Sequence, residues 1–304
     1  MDTLILGTAM WGWTVPRDRA FALLDAFYEA GGRAVDGATN YPINRRPGDF
    51  RAAENILLQW IRTHGVTDLK VMMKIGSLNN LRTPDCNLRP SFLLFCFDEY
   101  QDKFGSNLDT MMIHWDNRDE AGPIAETLQA LQAIQAAGYR VGLSGIRHPA
   151  HYADWLAKYP LSCRIQIKHN LLQTDYPRYA AFHGEKCFIA YGINAGGLKL
   201  APDQYRTDAS LAARGGDISQ EPPFMMPLRQ WLAKLPAQER PLPASMNHLG
   251  LLFALLHPDI GQVLIGPSRV EQLTDSLQWA RLLQQYPYQD LYDQLNQLRD
   301  DAQI

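Results

Sequence analysis

No stretch of the 304-residue chain approaches the roughly 18 uninterrupted apolar residues that a membrane-spanning helix needs, so no membrane partner is expected. An excess of one charge is also missing. The 29 basic and 32 acidic residues leave a net −3, which points to neither a nucleic-acid nor an acidic-membrane partner. Cysteine is sparse: Cys86, Cys96, Cys163 and Cys187 form no CxxC or zinc-type spacing and sit in or beside apolar segments. They read as reduced thiols of a cytoplasmic protein. Met1-Asp2-Thr3 leads straight into strand-like sequence, without the basic stretch and long apolar core of a secretory signal. Glycine-rich nucleotide loops are missing too. No GxGxxG follows the first strand and no GxxxxGK occurs anywhere, so a dinucleotide must be held by other means. There is no low-complexity tract and no evident linker.

What is present is alternation. Strand-like runs cover Leu4–Gly7, Arg33–Asp36, Leu69–Lys74, Leu108–His114, Arg140–Ser144, Arg164–Ile167, Cys187–Tyr191 and Gln262–Ile265. Helix-like segments lie between most of them, with Ser91–Phe104 stopping near Gly105 and Ile124–Ala137 at Gly138. Ser245–Leu256 ends before Pro258, and two more helices cover about Val270–Leu283 and Gln289–Asp300. This order predicts an α/β fold, a (β/α)8 TIM barrel occupying residues 1–304 as a single domain. Gly192–Pro223 is a long irregular stretch, the kind often used as a lid or ligand clasp.

Three apolar runs end in a polar residue: Asp36, Lys74 and His114. Tyr41 follows Asp36 across a short loop. In a barrel, functional side chains sit at the strand C-termini, so a carboxylate, an amine, an imidazole and a phenol would meet at one mouth. That set suits proton transfer to a carbonyl, with Tyr41 as acid. A tyrosine titrates near pH 10 unless tuned, and an adjacent ammonium lowers its pKa. Each residue also has a plainer reading. Asp36 would serve as a helix cap or ion-pair partner, Lys74 as a solvated rim residue, His114 as a core histidine, and Tyr41 as loop packing.

With these motifs in order, the chain resembles the aldo-keto reductases over nearly its whole length. Asp36-Gly-Ala-Thr-Asn-Tyr41 resembles the family's Asp-x-Ala-x-x-Tyr, and Lys74 and His114 its strand-end lysine and histidine. Gly138-Tyr-Arg-Val-Gly-Leu-Ser144, Gln166, Ala190-Tyr191 and Gly266-Pro-Ser-Arg-Val-Glu-Gln272 resemble its cofactor segments. Three features depart from the pattern: Gly145 replaces the usual Asn, Gly192 a common Ser, and Asp275-Ser276 the usual Glu-Asn. The family's N-terminal hairpin is absent as well.

The resemblance implies carbonyl reduction by hydride transfer from NADPH, with NADH the less favoured cofactor. It implies Asp36, Tyr41, Lys74 and His114 as the catalytic set. It implies cofactor contacts from Gly7, Thr8, Ser144, Gln166, Tyr191, Gly192, Gly266, Ser268, Arg269 and Gln272. Ser268 and Arg269, opening the last long helix, suit the 2′-phosphate of NADPH; structurally they read as an N-cap and a first-turn residue. Trp11, Trp13 and Trp115 are candidates for an apolar substrate wall, and Arg45 for gripping a phosphate or carboxylate of a small carbonyl substrate. Those tryptophans could as well be core, and the Arg45 loop a solvated one. No metal is expected, although His148-Pro-Ala-His151 has superficial metal spacing. The alternatives are a non-catalytic NADPH-binding regulatory barrel, and a lyase or isomerase on the same fold.

Overall fold

A computed structural model describes residues 2–185, 187–205, 210–217, 219–236 and 239–303. Its strands are β1 (Leu4–Gly7), β2 (Ala34–Ala38), β3 (Lys70–Ile75), β4 (Leu108–Asp116), β5 (Arg140–Ile146), β6 (Cys163–Asn170), β7 (Gln173–Thr174), β8 (Phe188–Tyr191) and β9 (Ile260–Ile265). Their order is β5-β4-β3-β2-β1-β9-β8-β6, and pairing of β5 with β6 closes the ring. Every pair in the ring is parallel. The two-residue β7 folds back antiparallel on the end of β6 and stands outside it. This is a (β/α)8 barrel, and Leu4–Gly7 is already part of its wall.

The helices are α1 (Arg17–Glu29), α2 (Ala52–His64), α3 (Pro90–Phe104), α4 (Ala121–Ala136), α5 (Pro149–Leu156), α6 (Ser210–Ala213), α7 (Met225–Lys234), α8 (Met246–Leu255), α9 (Val270–Gln285) and α10 (Gln289–Asp301). The connection from β6 to β8 holds a 3-10 turn, Tyr176–Phe182, instead of an α-helix. The irregular stretch after β8 contains a 3-10 turn at Pro202–Gln204 and the short α6. Residues 206–209 and 218 of that stretch lie outside the described set.

Strand side chains alternate between two cores, as a period of two requires. Val71, Met73, Ile75, Met111, Ile113, Val263 and Ile265 face the helices in the large cluster. Ile5, Met72, Met112, Ile189 and Leu264 form a separate plug inside the barrel. Gly142 makes room there: a Cβ would stand 2.5 Å from the Met112 Cε and 2.7 Å from the Arg164 carbonyl oxygen. Two residues past each plug residue, the same face meets the upper mouth. Met72 is thus followed by Lys74, Met112 by His114, and Ile189 by Tyr191.

Strand ends differ from the sequence reading. β2 continues past Asp36 to Ala38, β3 past Lys74 to Ile75, and β4 past His114 to Asp116. The cause is continued pairing, Ala38 with Lys74 and Asp116 with Ile146. The four cysteines are unpaired, and burial pushes Cys96 up to about 11 and Cys163 to about 12. Among the described residues no helix is long and apolar enough to cross a membrane.

Candidate active site

Strand register brings the polar residues of the upper mouth into one layer. Gly7 lies opposite Asp36, His114 opposite Ser144, and Ser144 opposite Gln166. Lys74 donates to one carboxylate oxygen of Asp36, and Gln166 Nε2 donates to the other at 2.6 Å. Ser144 Oγ donates to Gln166 Oε1 at 3.3 Å. Thr8 fixes the backbone here, giving both its N–H (3.1 Å) and its hydroxyl (2.9 Å) to the Asp36 carbonyl. Asp36, Lys74, His114, Ser144, Gln166 and Thr8 are all buried.

Tyr41 covers this layer from its loop. The Lys74 ammonium stands 4.9 Å from the centroid of the phenol ring, and the His114 imidazole meets that ring edge-on at 5.9 Å. Asn80 pins the loop by donating to the carbonyls of Arg46 (2.7 Å) and Pro42 (3.3 Å) and to Asn44 Oδ1 (3.2 Å).

Electrostatics separate the roles. Burial disfavours the Lys74 ammonium, yet Asp36 and Tyr41 together more than offset that and raise its pKa. Burial, and then the Lys74 charge, hold His114 well below its ordinary value, so the ring is neutral with one N–H donor and one acceptor. Its Nδ1 is buried without a partner among the described residues. For Tyr41, burial raises the pKa and the Lys74 charge lowers it, and the net direction is upward. The sequence expectation of a lowered value is therefore corrected. Enclosure outweighs the ammonium, and the phenol stays protonated at neutral pH.

The tryptophans divide. Trp11 is 1% exposed within the large core, its indole Nε1 unpartnered, whereas Trp13 and Trp115 are half-buried. Trp115 adopts a left-handed backbone (φ 60°), and its ring lies 4.6 Å from that of His114. This explains Gly145, whose φ is +69° and where a Cβ would stand 2.6 Å from Trp115 Cδ1. The indole occupies the space that a larger residue after Ser144 would need. His148 and His151 both reach the Asp119 carboxylate, at 3.3 and 2.9 Å, and among the described residues no group of three or more metal-binding side chains converges.

A second polar region lies at the start of α9. Ser268 gives its N–H (2.9 Å) and hydroxyl (3.0 Å) to Gln272 Oε1, while Arg269, not Ser268, takes the N-cap position without a side-chain cap bond. Lys199, after Gly196-Gly197, faces this end. Burial and then the Arg269 charge lower its pKa. The sequence reading missed Lys199, and the glycine pair preceding it was the available signal. Asp275 accepts from His248 at 3.0 Å, and Ser276 is buried beneath Asn247. Tyr191 sits over the barrel plug with its hydroxyl pKa raised by burial, and the carbonyl of Gly192 accepts from Asn170 at 3.0 Å. A Cβ on Gly266, the residue entering this turn, would meet nothing within 4 Å.

The family model described as "Aldo/keto reductase family" matches residues 3–294. The chain is 27% identical over 207 residues to norsolorinic acid reductase stcV of Emericella nidulans, a match covering 63% of this chain and 46% of that protein. It is 27% identical over 195 residues to AAD14 of Saccharomyces cerevisiae, a proposed aryl-alcohol dehydrogenase, covering 59% of this chain and 51% of that one. The chain thus spans about half the length of these curated relatives. Among solved structures, the thermostable aldo-keto reductase Tm1743 in complex with epalrestat superposes with a TM-score of 0.69 at 18% identity. That match covers 98% of this chain and 95% of the other, and at such identity it bears on the fold alone.

Proposed function

The chain belongs to the aldo/keto reductase family, and from that premise we propose that it is an NADPH-dependent oxidoreductase reducing the carbonyl of an aldehyde, ketone or keto-sugar to an alcohol, with Tyr41 as proton donor. The observation that carries this reading is the buried Lys74–Asp36 pair against the Tyr41 ring, with a neutral His114 on the ring's edge.

The cofactor reading is tested by the donor sets. Arg269 stands at the start of a 16-residue helix and its charge acts on Lys199, and among the described residues no carboxylate pairs with either. Two uncompensated cations beside a helix N-terminus fit a phosphate. Ser144 and Gln166 offer hydroxyl and amide groups for a carboxamide, and the Tyr191 ring offers a face for a nicotinamide. Bound there, NADPH supplies the hydride.

The chain's own residues do the rest. Tyr41, kept protonated by burial, holds the proton that the developing alkoxide requires. Lys74 stabilises the phenolate left behind, and Asp36 keeps Lys74 charged. A neutral His114 can donate one ring N–H to the carbonyl oxygen and so orient it. The Trp13 and Trp115 faces limit water around the reacting carbon.

The test is a steady-state screen of aldehydes, ketones and keto-sugars followed by NADPH absorbance, for the wild type and Tyr41→Phe. Turnover in the wild type and its loss in the variant are expected. Tight NADPH binding without turnover of any carbonyl would instead favour the regulatory barrel.

A further inference from the structure

Three arginines at the mouth have no part in this scheme. Arg82 Nε donates to the Ile43 carbonyl at 3.1 Å and its Nη1 to the Arg214 carbonyl at 3.3 Å, so it ties the loop after β3 to the loop after β2 and to the end of α6. Its guanidinium lies 6.0 Å from the Trp13 ring. Arg214 Nη2 stands 3.4 Å from Met10 Sδ, which places its guanidinium on the same side. Arg45 is held by its own N–H to the Asn80 carbonyl at 3.2 Å, two residues before Arg82. Arg45 and Arg82 both adopt left-handed backbones, φ 61° and 63°, in a region that disfavours non-glycine residues.

The three side chains are exposed, and among the described residues none is paired with a carboxylate. The acids nearby are engaged elsewhere. Asp49 accepts from Asn44 at 2.6 Å, and Asp85 accepts from Asn79 at 3.1 Å and from Thr83 at 2.8 Å. Burial, then Arg45 and then Arg214 lower the Arg82 pKa, the signature of like charges facing one another. The field of Arg214 also reaches the Tyr41 hydroxyl, so the cluster lies within electrostatic range of the proton donor.

We propose that Arg45, Arg82 and Arg214 bind an anionic substituent, a carboxylate or a phosphate, carried by the carbonyl substrate. This rests on the reading of the site as a carbonyl reductase. Planar guanidinium forks match both anions, and an anion seated between them relieves the repulsion among three cations. Trp13 beside Arg82 provides an apolar wall for the carbon frame between the anion and the carbonyl.

The experiment uses matched substrate pairs. The carboxylate arm compares 4-formylbenzoate with its methyl ester, and the phosphate arm compares glyceraldehyde 3-phosphate with glyceraldehyde. The wild type should prefer the charged member of at least one pair, and the arm showing the preference identifies the anion. In Arg82→Gln and Arg214→Gln the KM for that charged member should rise about 10- to 150-fold, the loss expected for a hydrogen bond to a charged group. The neutral partner should lose far less. Separately, terephthalate, which cannot be reduced, should quench tryptophan fluorescence saturably in the wild type and weakly in the double variant. Equal losses for charged and neutral substrates, with no terephthalate site, would overturn the proposal. Absence of turnover with every substrate would sink the reductase reading alone, because saturable terephthalate binding lost in the double variant would still support the anion site.

Discussion

The two ends of this barrel are both polar, yet they spend their polarity differently. At the lower end, Asp109 is shared between Arg140 (3.1 Å) and Arg164 (3.4 Å), and Arg164 also donates to Thr110 Oγ1 at 3.1 Å. Asp109, Arg140 and Arg164 line a recess of about 260 Å³ with Asp2, Arg33, Lys70 and Gln262, and the Arg140 side chain is 54% exposed. At the upper end the Lys74–Asp36 pair is enclosed, and His114 Nδ1, Trp11 Nε1 and both side-chain polar atoms of Asn40 are buried without a partner among the described residues. Buried polar groups are normally satisfied, and this concentration supports the reading of the upper end as the one that binds a ligand. The lower end has its carboxylate matched and water at hand, which is what a structural closure needs. Charge alone does not distinguish them; the unsatisfied remainder does.

The sharpest way to break this contrast is to change one group at each end. Tyr41→Phe should lower kcat by about 10²–10⁴-fold, the usual loss of a general acid, with NADPH affinity preserved. Arg140→Gln should leave kcat close to wild type and reduce stability by about 0.2–1 kcal/mol, as for an exposed ion pair. Comparable kinetic losses from both would erase the distinction.

Lys74→Met is the next in size. It leaves the Asp36 carboxylate buried without its cation, and removing one partner of a buried pair typically costs about 3–5 kcal/mol of stability. Lys74→Met/Asp36→Asn should recover much of this in urea unfolding while staying slow. In whichever variant retains activity, the apparent pKa of the acid should move upward. An unmoved pH profile would deny Lys74 its influence on Tyr41.

Arg269→Ala should weaken NADPH by about 10- to 150-fold and NADH little, because only the former carries the 2′-phosphate. Fluorescence titration with each cofactor decides it. Equal losses would mean that Arg269 only supports the start of α9.

The remaining effect concerns acid. Burial depresses His114 well below its ordinary value and His169, stacked on Phe253, to about 3. The unfolded chain binds these protons first, so the stability from neutral burial is full above about pH 6.5 and falls with acidification, by up to about 1.4 kcal/mol per pH unit for each histidine. His169→Gln should therefore show a shallower decline in urea midpoint between pH 7 and 4 than the wild type. An equally steep decline would shift the source of acid sensitivity away from His169.

Much of the upper end was legible because it is written locally. The period of two that puts Met72 in the plug puts Lys74 above it, and Met112 and His114 repeat the pattern. Other features depend on contacts the local pattern does not carry. Gln166 and Asp36 are 130 residues apart, and Arg82 meets Arg214 across 132. The net upward direction for Tyr41 required knowing how completely the loop encloses it. Trp11 looked like a wall candidate from its place after β1, but the fold turns it inward, and only Trp13 and Trp115 keep accessible faces. Lys199 escaped notice because its partner, Arg269, lies 70 residues further on.

Hydrogen bonds join Ser144, Gln166, Asp36 and Lys74 without a break, from the region proposed for the carboxamide to the foot of the Tyr41 ring. Asp36 accepts from both sides and is the junction of the two. A ligand drawing on the Ser144 hydroxyl would compete for the Gln166 contact and so act on one oxygen of that junction. Thermodynamic linkage makes such an influence mutual. Whatever factor an amide ligand at Ser144 applies to the affinity of a carbonyl ligand at Tyr41, the carbonyl ligand returns. Any coupling between the two halves of the mouth that runs through this path is set by one carboxylate and is equal in both directions.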